Sequence, residues 1–268
     1  MKNARNIIKK WYDRLGFRKE YDEEFHKALE SAEIPESLTV GTLDTKSEPS
    51  CENLLYVLYL CEEVEEEYRK MGIPEDILLD TLSDVTVWTD TWTCVKGHLA
   101  LGQLDWLSHH LKLNLFKLGR LQFYRLCKAK DTVPEVGVTA GDAVIDIHIP
   151  ATGKLDIDEC KKSLERSKVF FRKYYPDFDF KCFACHSWLL DDTLKKYLPA
   201  DGNIIRFGNM FTKTKADPDF ALVRYMFEWD TTVENLPARI PKTNSARKIK
   251  EAILSGEQFH ATQGYIAL

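Results

Sequence analysis

Apolar residues recur at three- and four-residue spacing through the first part of the chain, and that period predicts helices. From Ala4 to Leu15 the positions Ile7, Ile8, Trp11, Tyr12 and Leu15 form one stripe, and a second helix is expected over Tyr21 to Ala32, ahead of Pro35. Ser37 to Ser50, rich in Thr, Ser, Gly and Pro, reads as a loop. Cys51 to Met71 carries the clearest pattern, with Leu54, Leu55, Leu58, Cys61, Val64 and Tyr68 on one face. Glu62, Glu63, Glu65, Glu66 and Glu67 lie largely around the other, and a solvated face explains them better than a cation site. Gly72 and Pro74 end that helix, and Pro74 opens another through Ile77, Leu78, Leu82, Val85 and Trp88.

Beyond Leu113 the period shortens. Leu115 to Leu126 alternates as a strand, Lys128 to Gly141 is a loop with Pro134, Gly137 and Gly141, and Asp142 to Ile149 is a second strand, which makes an antiparallel pair the simplest arrangement. Pro150, Thr152 and Gly153 stop that strand before a helix over Ile157 to Tyr174, opened by Asp156 or Asp158. Phe178 to Cys185 reads as a strand, Leu189 to Leu198 as a short helix, and Asn203 to Phe211 and Phe220 to Trp229 as further strands. A helix over Ser245 to Leu254 ends at Gly256, and the tail can add a last short strand. Parallel strands joined by a helix bring their ends to one sheet edge, where open α/β sheets bind ligands. Chemistry is therefore sought near His148 and near Cys185 to Trp188.

At 268 residues and 44% hydrophobic, the chain can bury a substantial core. A formal charge of −5 gives no electrostatic case for a nucleic-acid partner, despite local basic clusters at Lys161 and Lys162 and from Arg247 to Lys250. Charges scattered through the N-terminus do not fit a signal peptide, and the longest apolar stretch, Leu54 to Cys61, is too short to cross a membrane. Seven cysteines, an odd number, argue for reduced thiols, and the expected location is cytoplasmic.

Several strings carry a family resemblance: HIPATGKL at His148 to Leu155, Cys160 with Ser163, the pair Phe170 and Phe171, CHSWLLD at Cys185 to Asp191, and NIIRFGNMF at Asn203 to Phe211. As a set they resemble a bacterial family of acyltransferase domain-containing proteins with a helical N-terminal domain and a GNAT-like C-terminal domain. The resemblance implies an α+β protein in which an all-helical domain, residues 1–112, packs on a GNAT-like mixed β-sheet domain, residues 113–268, with helices on both faces. It also implies transfer of an acyl group from acyl-CoA, or another thioester, to an amine or similar nucleophile by direct attack, with acyl-CoA as co-substrate and no metal. The turn ATGKLDID departs from the family pattern, having one glycine where backbone N–H groups should hold pyrophosphate, and Asp156 and Asp158 repel phosphate there. The rival reading is a non-catalytic ligand-binding or interaction module that kept the fold.

His148 shares a strand side with Asp146 and Val144, so it can act as the base, or it can tie down the turn by hydrogen bonding, the plainer role for a strand-end histidine. The resemblance puts Tyr197 near the acid position of such enzymes; otherwise it is a core or surface tyrosine. Ile149, Thr152, Gly153, Cys185 and Ser187 are the expected donor-binding positions, and Asp146 and Trp188 the acceptor-binding ones. Cys182, Cys185 and His186 spell C-x-x-C-H, but alternation sets Cys182 and Cys185 on opposite faces, which favours buried thiols over haem or zinc. The same alternation keeps His186 from activating Cys185 as a nucleophile. Ser187 most simply caps the next helix and Trp188 packs beneath it, while Lys154, Arg206 and Arg224 can meet acidic ligand groups or stay solvated. Trp88, Trp92 and Trp106 can line a sugar or acyl pocket, but a domain interface is the preferred reading. The expected partners are a small-molecule acyl donor and an acceptor the sequence does not name; it does not fix the oligomeric state.

Overall fold

The computed structural model describes residues 2–268 and divides into two compact units between Leu118 and Gly119. In the first unit, α1 (Lys2–Leu15), α2 (Asp22–Ser31), α3 (Cys51–Met71), α4 (Glu75–Leu82), α5 (Asp84–Lys96) and α6 (Leu104–Leu111) surround a core that includes Trp11, Phe25, Leu54, Leu58, Cys61 and Tyr68. Ser50 caps α3 by accepting from the Asn53 N–H at 3.2 Å, and Gly72 ends it with a left-handed φ of 68°, a conformation that carries no steric penalty in glycine. The single helix expected after Pro74 is two, because the chain turns at Ser83.

The glutamates of α3 are not uniformly solvated. Lys10 Nζ lies 2.7 Å from Glu62 and 2.9 Å from Glu65, Arg14 lies 2.6 Å from Glu65, and Trp11 Nε1 donates to Glu62 at 3.0 Å. These bonds fasten α1 along α3. Two of the tryptophans also bond within this unit: Trp106 Nε1 and Trp88 Nε1 donate to Asp84 at 2.8 and 3.2 Å, and His110 Nε2 approaches the same oxygen at 3.3 Å. The unit ends in a short strand, β1 (Leu115–Lys117), whose Lys117 N–H donates to buried Thr81 Oγ1 at 3.0 Å.

The second unit is built on β2 (Gln122–Lys128), β3 (Ala143–His148), β4 (Cys182–Ser187), β5 (Thr212–Pro218) and β6 (His260–Ala267), which follow the order β2-β3-β4-β6-β5 in a mixed sheet. β2 and β3 are antiparallel, as the sequence predicts, but the strand expected over Leu115 to Leu126 is broken by Gly119, whose φ is +94°. β3 and β4 are parallel and joined by α7 (Ile157–Tyr174), which Asp156 caps by accepting from Asp158 N and Glu159 N at 3.0 Å. Helix and strand patterns agree here because each buries one apolar face, with Phe123, Phe183 and Phe171 all fully buried.

Two expected strands are helices. Asn203 to Phe211 contains α8 (Asn203–Gly208), and Phe220 to Trp229 contains α9 (Ala221–Met226). Both were short apolar runs without a decisive period, and Ile205, Leu222 and Val223 instead fill a cluster with Leu194, Leu236, Ile249 and Phe259. α10 (Asn244–Leu254) supplies Ile249 to that cluster. The missed strand, β5, reads TKTKADP and pairs only with β6, so an edge position with lysines and Pro218 gives it no hydrophobic signature. The expected strand over Phe178 to Cys185 begins four residues later, because Phe178 and Phe180 pack on Phe171 with ring centres 5.8 and 6.2 Å away. The tail, β6, is an interior strand between β4 and β5.

Candidate active site

β3 and β4 pair through Ile145↔Phe183 and Asp146↔Ala184, with a further bond from Lys181 N–H to the Ala143 carbonyl at 2.9 Å. The ladder stops there, although β3 continues beside β2 to His148 and β4 continues beside β6 to Ser187. The two parallel strands therefore stop pairing short of their C-terminal tips, the place where a slot in the sheet can open. Backbone groups on the slot walls are those a ligand can use, because neither neighbouring ladder claims the side that faces the gap.

One wall carries His148 and Asp146. Two residues apart on β3, they point to the same face, and His148 Nε2 lies 3.1 Å from Asp146 Oδ2. Both are partly open, at 33% and 19% exposure, so a ligand can reach them. A carboxylate beside an imidazole steadies the ring's orientation and favours its protonated form. Asp146 also makes nearby Cys127 and Cys185 harder to ionise, after burial as the leading cause.

The opposite wall is β4. Cys185 is 1% exposed, burial raises its thiol well above its ordinary value, and its carbonyl accepts from Gln263 Nε2 at 3.3 Å. It is a packed thiol on the face opposite His186. Cys182 lies on that other face, in a small cluster with Val144, Ala184 and Tyr265. No group of three or more metal-capable side chains occurs among the described residues. Ser187 Oγ accepts from the Leu189 N–H at 3.2 Å, capping a 3-10 turn where a helix was expected, and Trp188 stacks on Tyr225 with ring centres 6.1 Å apart.

Past β3, Ile149 leads into an exposed turn in which Thr152 and Gly153 are open to solvent and Gly153 has φ +73°. Asp156 takes two N–H groups at the start of α7, and those bonds lower its carboxyl, the Glu159 N–H most. A cation approaches the turn from elsewhere. Arg120 Nε donates to the Lys154 carbonyl at 2.8 Å, and its Nη1 is buried without a hydrogen-bond partner. The turn bearing Arg120 is fixed on α7, since the Leu121 N–H donates to Ser163 Oγ at 3.0 Å. Burial lowers the Arg120 pKa from its ordinary value. Sequence reading missed Arg120, because only the folded turn places it beside Lys154.

Tyr197 does not stand free to donate. Its hydroxyl donates to Glu257 Oε2 at 2.8 Å, and that bond raises its pKa. Its ring packs beside Phe259 at 5.8 Å, on the cluster that also receives Trp188.

Residues 6–113 match the N-acyltransferase N-terminal domain family, and residues 115–266 match the GNAT-like C-terminal domain family. Among solved structures, an acyltransferase in complex with CoA and 10C-teicoplanin superposes with a TM-score of 0.80, and an acyltransferase in complex with decanoyl-CoA and teicoplanin with 0.79. Each is 20% identical and aligned over 97% of this chain and 87% of its own. An acyltransferase in complex with decanoyl-CoA gives 0.78 at the same identity and coverage. No curated protein matches the chain. With the two family domains together covering nearly its whole length, the chain belongs to the N-acyltransferases that carry a GNAT-like C-terminal domain.

Proposed function

We propose that this protein transfers an acyl group from acyl-CoA to the amine of a small-molecule acceptor by direct attack, with the thioester in the slot between β3 and β4. The observation that carries the reading is the end of the β3–β4 ladder at Asp146 and Ala184, which opens the sheet beside the His148–Asp146 pair. His148 removes the proton of the attacking amine, and Asp146 orients the imidazole. A donor held by the parted strands meets the amine at fixed geometry, which converts a bimolecular encounter into a positioned one. Ile149, Thr152 and Gly153 form the donor turn, Cys185 and Ser187 contribute the β4 wall through backbone, and Trp188 faces the acceptor.

The donor's phosphates need cations, because Asp156 occupies N–H groups that the family pattern leaves to pyrophosphate. The orphaned Arg120 Nη1 beside the same turn is the group that fits an anion, since a buried guanidinium nitrogen without a partner is costly and a phosphate would satisfy it. Related folds crystallised with decanoyl-CoA support a donor of that class, and the teicoplanin bound in one of them supports a small-molecule acceptor. All seven cysteines are free thiols and no described helix is long and apolar enough to cross a membrane, which supports action in the cytoplasm.

The Asp156 cap favours a second reading, a binding module that retained the fold without the cofactor turn. Calorimetric titration with acetyl-CoA and decanoyl-CoA, followed by thiol release in the presence of a panel of primary amines, separates the two. Heat and amine-dependent thiol release are expected. No heat with either donor at millimolar concentration would leave the binding module.

A further inference from the structure

His186 lies near the C-terminal end of β4, and the acyl transfer proposed for His148 leaves it unused. Extending the Asp146↔Ala184 pair by two residues sets His148 level with His186 across the parted strands, and alternation puts both on the same sheet face. The two rings thus sit at the two tips of the slot, one on each wall. His186 is exposed, and its imidazole makes no hydrogen bond or ion pair among the described residues. Asp217 on β5 lies within its electrostatic reach: Lys215 does most to lower that carboxyl, and His186 and Lys130 add to the effect.

We propose that His186 is the acid that returns a proton to the departing thiolate, a role resting on the acyl-transfer reading. The amine lone pair forms the N–C bond to the thioester carbonyl, and the nitrogen's proton passes to His148. The C–S bond then breaks, its electron pair stays on sulfur, and the protonated His186 supplies the proton that makes the free thiol. Solvent carries the proton from His148 back to His186. The alternative donor, Tyr197, would first have to give up its bond to Glu257.

The test compares wild type, His186→Gln and His148→Gln with two donors of the same acyl group: acyl-CoA, whose alkyl thiolate needs a proton, and the p-nitrothiophenyl thioester, whose thiolate leaves without one. Hydroxylamine serves as acceptor, and calorimetry follows CoA binding. With acyl-CoA, His186→Gln should lose about 100-fold in kcat at unchanged CoA affinity. With the aryl thioester it should return to within a few-fold of wild type, while His148→Gln stays slow with both donors. Equal loss with both donors, or no loss with acyl-CoA, overturns the assignment; His186→Asn repeats the comparison if the glutamine variant does not fold. A wild-type chain that neither binds CoA nor releases thiol would instead overturn the acyl-transfer reading, and this role with it.

Discussion

Replacing Asp146 with Asn removes the charge that faces His148 while keeping the side chain's size. At the observed 3.1 Å, unit charges attract by about 1.3 kcal/mol in bulk water and about 5 kcal/mol at an effective permittivity of 20. With His148 33% and Asp146 19% exposed, solvent screening holds the pair near the lower figure, about 1–2 kcal/mol. If that energy is realised as the imidazole gains its proton in the transition state, kcat/KM should fall roughly 5- to 30-fold. His148→Gln, which deletes the base itself, should cost roughly 10²- to 10⁴-fold. The assay is thiol release from acyl-CoA under subsaturating donor, run on wild type, both single variants and the double variant. Since Asp146 acts only through His148, the double variant should be no slower than His148→Gln alone. Additive losses would refute this chain of reasoning, because they would mean that Asp146 serves the reaction without the imidazole.

Gly264 on β6 allows close packing: a Cβ added there would lie 2.9 Å from Leu190 Cδ1 and 2.9 Å from Phe211 Cβ. Gly264→Ala should therefore cost about 1–3 kcal/mol, read as a lower urea midpoint at unchanged slope, and an unchanged midpoint would contradict the packing. Arg120→Gln should weaken binding of CoA more than binding of acyl-pantetheine, which lacks the nucleotide phosphates; equal weakening in a calorimeter would place Arg120 outside the phosphate site. Burial pushes the thiols of Cys160 and Cys182 up to about 11. These raised values favour the neutral thiol in the fold, so their contribution is full below the ordinary thiol value of 9.0 and is lost as pH rises toward about 11. The urea midpoint of wild type should fall more between about pH 8 and about pH 10.5 than that of Cys182→Ala.

Where a long element buries one face against the core, the sequence by itself determined the element. The limits of Cys51–Met71 and Ile157–Tyr174 follow from apolar stripes, the Ser50 and Asp156 caps, and the chain breaks after them. The parallel strands around Ile157–Tyr174, and His148 and Asp146 on one strand face, follow from the same periodicities. The family resemblance likewise rests on strings legible in the chain, and the domain matches agree with it. Tertiary structure decided what local pattern leaves open. β5 is polar because it pairs on one side only, and the apolar runs at Asn203 and Phe220 became helices because the cluster around Leu236 and Phe259 takes their side chains from that geometry. Likewise, the ladder that stops at Ala184, the Glu257 bond on Tyr197, and Arg120 beside Lys154 join residues distant along the chain. Such contacts depend on where loops return the backbone, and periodicity within one segment carries no record of that.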